Sequence, residues 1–384
     1  MIAGHLRNKR GYWHIVLNLK TEDGKRKQKW ISTGMRVTGN KKRAEEFLYE
    51  KRLEYTRLQD ARGKSKGLFF ATYMLLWLKG QKEKLSQTSY SSNAYIIKNG
   101  IVPFFQDQMI PITELKVFHV ESYYQSLLDR GLSPNTVIRH HAIVHKALRE
   151  AYRTELIAVS IADRIEAPKR EVYVTVPYNA HECNCLLEKI RSNKLELVVT
   201  IALFTGLRRS EILGLKWKAI DFENNTLHVM HSVHRFVEDG KYRISGQDRL
   251  KRNASFRTLP LVGPLRHYLK SIAERRYPNS APNSEEYLCL DEKGDLIKPN
   301  YISKAFRIFL EKHELRHIRF HDLRHSCANL LITARVPLIE VQQWMGHSSL
   351  STTADMYSHL TFDIKLRSAE VLSKQLSLSD ERKL

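Results

Sequence analysis

Residues 205–215 read TGLRRSEILGL, and residues 321–326 read HDLRHS. In the first stretch Gly206 permits a turn directly ahead of Arg208, and the amphipathic run ILGLKW follows Ser210-Glu211. In the second, His321 and Arg324 stand three residues apart and share one face of a helix. Taken singly each is commonplace, a capped helix with an internal ion pair. Further on, Trp344-Met345-Gly346-His347 reads as a glycine-ended helix with a histidine just past its end, and Tyr357 lies ten residues beyond that histidine. The arginines and histidines of these stretches share one property: they suit a phosphate.

The composition points the same way. The chain of 384 residues holds 63 Lys+Arg against 41 Asp+Glu, a net charge of +22. Such an excess is costly in self-repulsion and favours a polyanionic partner, nucleic acid first and an anionic membrane surface second. Insertion into a bilayer is disfavoured: the apolar, uncharged stretches 68–78 and 197–207 are 11 residues each, against the ~20 needed to span. The N-terminus lacks an apolar signal region, and four cysteines are too few for a secreted disulfide framework. A soluble, cytoplasmic protein, associated with the nucleoid and with no membrane partner, is expected. The sequence has no GxxxxGK[ST] loop, no GxGxxG and no HExxH. His181-Glu182-Cys183-Asn184-Cys185 groups possible metal ligands but has no matching second pair. Neither a metal nor a nucleotide cofactor is therefore expected.

Three segments follow along the chain. Residues 1–64 carry 17 Lys/Arg against 7 Asp/Glu. There GYWHIVLNLK (11–20) and KRKQKWIST (25–33) alternate as strands about a turn at 21–24, and a helix follows over 41–57. The expected result is a small sheet capped by one helix, its exposed face bearing Arg26, Lys27, Lys29, Tyr12 and Trp13. A Gly/Lys/Ser linker at 62–67 leads into a helical segment, 65–168, whose last helix starts at Ser133-Pro134 and presents Arg139, His140, His141, Lys146 and Arg149 on its polar face. The three histidines His140, His141 and His145 lack a partner with ligand spacing and read as solvated or phosphate-facing. After a second linker at 167–171, residues 169–384 are mixed, with helices over 179–192, 194–205, 208–216, 260–275, 300–313, 321–334 and 337–345. Their strands cluster between Thr226 and Leu261: TLHVMHSVHRFV, KYRISG and SFRTLPL.

TGLRRSEILGL, LKRNASFRTLPL (250–261), HDLRHS and WMGHSSLSTTADMYSH (344–359), in that order, resemble the tyrosine recombinase (phage integrase) family. Upstream, GLSPNTVIRHHAIVHKALREAY (131–152) is similar to the helical core-binding domain of its multi-domain members, the closest-looking being integrases of temperate phages and conjugative transposons. The resemblance implies a multidomain α/β chain. An arm-type DNA-binding domain of sheet plus helix occupies 1–64, an all-α, SAM-like core-binding domain 65–168, and a mainly α catalytic domain with a small sheet 169–384.

The implied catalytic residues are Arg208, Lys251, His321, Arg324, His347 and Tyr357. Lys241 and Lys251 both lie in hairpin-like sequence; Lys251 is preferred because Ser255, Arg257 and Leu259-Pro260-Leu261 follow it in the family pattern, although Arg252 stands where a threonine is usual. Glu211 matches an acidic position that orients an arginine. Two guanidiniums can neutralise a phosphodiester's non-bridging oxygens, Tyr357 can attack with His321 as base, His347 can donate to a non-bridging oxygen, and Lys251 can protonate the leaving 5′ oxygen. The resemblance further implies a covalent 3′-phosphotyrosine, a Holliday junction and a tetramer on double-stranded DNA with core and arm sites. An excision factor, a host DNA-bending protein and a C-terminal helix (362–378) docking on a neighbour belong to the same picture. A type IB topoisomerase-like relaxase and a non-catalytic DNA-binding regulator are the rival readings.

Overall fold

The computed structural model describes residues 2–20, 26–64, 67–171, 176–238, 241–247 and 256–347. Lys251, Tyr357, the turn at 21–24 and the tail 362–378 lie outside the described residues. The chain divides into two compact units, residues 1–172 and 173–384.

The first unit opens with an antiparallel sheet of β1 (Gly4–Lys9), β2 (Tyr12–Lys20) and β3 (Arg26–Arg36), in that spatial order, followed by α1 (Lys41–Lys64). Period-2 alternation turns Ile15 and Leu17 of β2 toward Phe47, Leu48 and Tyr55 of α1. Strand β1 was not expected: GHLRNK is an almost wholly exposed edge strand, and an edge needs no apolar alternation to pair. Helix α1 runs through Arg62-Gly63-Lys64, so the expected linker begins inside its last turn. The sheet face also differs from expectation. Lys29 lies over the Tyr55 ring at 5.1 Å, on the helix side, and Trp13 is half-buried with its indole nitrogen enclosed. Tyr12 is exposed as expected, and the open face also carries Trp30, with Arg7 and Lys9 over its ring at 5.3 and 5.7 Å.

The rest of this unit is helical: α2 (Phe70–Gly80), α3 (Gln87–Ile96), α4 (Val102–Gln106), α5 (Val117–Asp129) and α6 (Pro134–Arg153), with a π-helical stretch over Ile97–Ile101 joining α3 to α4. Phe70, Met74, Trp77, Phe105, Tyr123 and Leu148 anchor one core. Helix α6 starts as its sequence predicts: the Ser133 hydroxyl accepts the Thr136 N–H at 3.3 Å, with Pro134 in the first turn. His140, expected on the polar face, is buried instead. It falls in the stripe Val137-His140-Val144-Ala147, and the Tyr123 hydroxyl lies 2.7 Å from its Nδ1. One hydrogen bond lets a polar ring occupy an apolar position.

The second unit contains α7 (Ala180–Lys189), α8 (Glu196–Thr205), α9 (Arg209–Leu213), β4 (Ile220–Asp221), β5 (Thr226–Val229), β6 (Ser232–Glu238), β7 (Lys241–Gln247), β8 (Arg257–Pro260), α10 (Gly263–Arg276), α11 (Pro299–Lys312), α12 (Asp322–Thr333) and α13 (Leu338–Met345). Helix α8 is apolar on all sides, with Val198, Val199, Ile201 and Ala202 buried, and it forms the centre of the core. The stretch TLHVMHSVHRFV, read as one strand, is two. Its first part, β5, pairs with β4 and β8, whereas its second, β6, pairs with β7 in a separate ribbon. The break falls at Met230-His231, where β8 has run out of partners for β5.

Candidate active site

The first block folds around the end of α8. Gly206 adopts the left-handed conformation (φ 63°), which a β-carbon disfavours, and the chain reverses there into α9. Arg208 is the residue capping α9. The Glu211 carboxylate reaches back to accept its backbone N–H at 2.9 Å and its Nη1 at 2.7 Å. The spacing Arg-x-x-Glu is therefore a capping arrangement whose carboxylate also aims the arginine.

The third and fourth blocks meet the first. His321 immediately precedes α12, and Arg324, one turn on, is 2% exposed. Its Nη1 donates to the Gly206 carbonyl at 2.6 Å and its Nη2 to the Met345 carbonyl. Helix α13 ends in a second left-handed glycine, Gly346 (φ 64°). Around this end the acceptors follow in chain order. The Trp344 carbonyl takes Arg257 Nε at 2.9 Å, Met345 takes Arg324, and Gly346 takes Arg208 Nη2 at 3.1 Å. The last carbonyls of a helix lack intrahelical donors and carry its negative pole, so three guanidiniums on three successive carbonyls form a favourable match. His347 follows directly. It is buried, with its N–H on Gln342 O and its own carbonyl accepting from the Gln342 amide, each at 3.1 Å.

The electrostatics follow from this crowding. Burial presses the Arg324 guanidinium down to about 9, with Arg208 adding to the effect, and it stays cationic at neutral pH. Burial, then Arg324 and Arg208, lowers the His347 imidazole to about 3. His321 is lowered to about 4, by the protein packed around it first and by His325 and Arg324 next. Its own surface is exposed, so water offsets part of that shift. Both rings are neutral at pH 7. Burial alone would raise the Glu211 carboxyl, but Arg257 and Arg208 more than reverse this.

Arg208, Arg324 and His347 are thus brought together, and His321 stands one turn ahead of Arg324 with its ring 5.3 Å from that of His325. Lys251 and Tyr357 lie outside the described residues. The alternative lysine, Lys241, is exposed at the first position of β7. Arg257, which the sequence offers only as a residue of the pattern following Lys251, is a full member of the cluster. Its side chain is 7% exposed and its Nη2 donates to Glu211 Oε2 at 3.1 Å. The signal was an arginine alternating with Leu259, on the inward face of its strand. Within His181–Cys185, Glu182 completes the cap of α7 and pairs with Arg316 at 2.7 Å, and Cys183 is buried. Among the described residues no group of three or more His, Cys, Asp or Glu is arranged to hold a metal. Nor is any described helix long and apolar enough to cross a membrane.

The chain is similar to known proteins. Residues 178–363 match the phage integrase family, and residues 69–128 match the SAM-like N-terminal domain of phage integrases. The chain is 27% identical over 289 residues to a "Tyrosine recombinase XerC-like" protein of Caldanaerobacter subterraneus subsp. tengcongensis, covering 68% of this chain and 72% of that one. It is 25% identical over 334 residues to the ICEBs1 integrase of Bacillus subtilis, covering 84% and 87%. Among solved structures, the Tn1549 transposon integrase (residues 82–397) in complex with a circular intermediate DNA matches with a TM-score of 0.65 at 20% identity, over 79% of this chain and 99% of that one. A lambda integrase dimer bound to a core site matches at 0.59 and 14% identity, over 92% and 93%. These structural likenesses establish the fold, a multidomain α/β architecture. The chain belongs to the tyrosine recombinase (phage integrase) family and is a tyrosine-type site-specific recombinase.

Proposed function

We propose that this recombinase binds double-stranded DNA at the ends of a mobile element, and that it integrates and excises that element through a covalent 3′-phosphotyrosine and a Holliday junction. In this reading Arg208 and Arg324 neutralise the non-bridging oxygens of the scissile phosphate. The Tyr357 phenol gives its proton to His321 and attacks phosphorus; the bond to the 5′ oxygen breaks, and Lys251 supplies that oxygen with a proton. His347 donates to a non-bridging oxygen as charge builds on it. The two imidazoles are neutral at pH 7, the form that His321 needs to accept a proton, and an arriving anionic phosphate raises both. Joining a second 5′-hydroxyl to the phosphotyrosine reverses the chemistry with no external energy source.

The observation that carries this reading is the convergence of Arg208, Arg324 and His347 at the end of α13, with His347 ten residues ahead of Tyr357. We assign 1–64 as an arm-type domain, 65–168 as the core-binding domain and 169–384 as the catalytic domain. A synaptic tetramer is the working form, with an excision factor and a host bending protein as accessory partners. The ICEBs1 and Tn1549 relatives, both integrases, support the mobile-element role. A nicked suicide duplex tests the proposal. Wild-type protein should become covalently trapped and Tyr357→Phe should not, while both bind the duplex. Binding without any adduct would instead make the chain a regulator, and relaxation of supercoils without joined products from two duplexes would make it a relaxase.

A further inference from the structure

Glu211 is 2% exposed and serves two arginines. Its Oε1 holds the Arg208 guanidinium; its Oε2 holds the Arg208 backbone N–H and Arg257 Nη2. A buried carboxylate with one guanidinium for a partner would draw that guanidinium into a tight two-oxygen pair. Arg257 occupies the second oxygen, so Arg208 is aimed by a single oxygen and keeps donors for another anion. The same Arg257 ties the Trp344 carbonyl, next to the two carbonyls that hold Arg324 and Arg208 and three residues before His347. Three guanidiniums against one carboxylate leave two positive charges in this cluster. That excess suits a pentacoordinate phosphoryl transition state, which carries one more negative charge than the diester.

We infer that Arg257 is a positioning residue of the strand-cleavage reaction: through Glu211 and the Trp344 carbonyl it sets the stance of Arg208, Arg324 and His347 toward the scissile phosphate, without touching DNA itself. The inference rests on the proposed function, because it presumes that Arg208 and Arg324 act on a phosphate. Arg257 Nε and Nη2 are taken up by the Trp344 carbonyl and by Glu211 Oε2, which assigns them to holding the cluster. Lysine at this position would keep a charge beside Glu211 but could not also reach the Trp344 carbonyl with a planar fork.

The test uses the full-length protein and nicked suicide duplexes whose scissile linkage is either the natural phosphodiester or an uncharged methylphosphonate. Arg257→Lys and Arg257→Met should bind DNA as wild type does. Their single-turnover adduct formation on the phosphodiester should fall by about 10²-fold, the usual cost of a small misplacement, with lysine the milder of the two. On the methylphosphonate, where there is less charge for the arginines to neutralise, the deficit should shrink by about tenfold. An equal deficit on both linkages would mean a general structural lesion and would overturn the inference. Wild-type rates in the folded variants, or loss of folding in both, would do the same. Arg208→Ala, run in parallel, separates the two levels: if it too cleaves normally, the proposed site itself fails, whereas a dead Arg208→Ala beside an unimpaired Arg257→Met refutes only this step.

Discussion

His347 illustrates what burial does to one residue. Its folded-state value of about 3 lies below the ordinary imidazole value of about 6.5, so the unfolded chain binds a proton that the folded chain refuses. The stability tied to this group is whole above about pH 6.5 and is lost as the pH falls toward the folded value, because acid then favours the unfolded state. Between about pH 6 and about pH 4 the wild type should lose up to about 1.4 kcal/mol per pH unit through this ring. His347→Gln, which cannot titrate, should show a correspondingly flatter decline in urea midpoints over that range. Parallel slopes for the two proteins would show that the ring is solvated. Arg324 follows a different logic: it stays charged in the interior because two main-chain carbonyls, from the ends of two helices, replace its water.

At the scale of elements, the site depends on two helices that stop where their glycines turn them. A methyl group on Gly206 would sit 2.7 Å from Met345 Sδ and 3.2 Å from Cys327 Sγ, on a backbone already in the left-handed region. Gly206→Ala should therefore destabilise the protein by about 2 kcal/mol, adding conformational strain to overpacking, and should displace the carbonyl that holds Arg324. Thermal melting checks the first effect and adduct formation the second; an unchanged melting temperature would show that α8 and α13 can part without cost.

Both glycine stops were legible in the sequence, since TGLR and WMGH announce them, and so was the start of α6 at Ser133-Pro134. Other features were illegible for identifiable reasons. The edge strand β1 has no apolar rhythm. His140 looks polar until Tyr123, seventeen residues away, supplies its partner. The split between β5 and β6 is set by which strands they pair with, and Met230-His231 contains no turn residue to mark it. Arg257 was visible as a letter, but its role depends on Glu211 and Trp344, distant in sequence and adjacent only after folding.

For the whole molecule the relevant quantity is the net charge of +22. A chain that neutralises many DNA phosphates at once releases their counterions, and its affinity should fall steeply with salt. Between about 50 and about 200 mM monovalent salt the apparent affinity for duplex DNA should drop by about 10³-fold or more, measured by fluorescence anisotropy. A nearly flat dependence would mean that the excess charge faces away from DNA. The open sheet face around Trp30, with Arg7 and Lys9 over its ring, is one surface through which that charge can act.

At the end of α13 the three guanidiniums are received by peptide oxygens, while Glu211 is the side-chain partner of two of them. Alanine at Trp344 or Met345 would therefore remove no acceptor group and would act only through lost packing, whereas alanine at the left-handed Gly346 would strain the turn that presents the last one. Only a change to the chain's own linkages, such as replacing an amide with an ester by chemical ligation to weaken its carbonyl, would expose how much of the reaction they support.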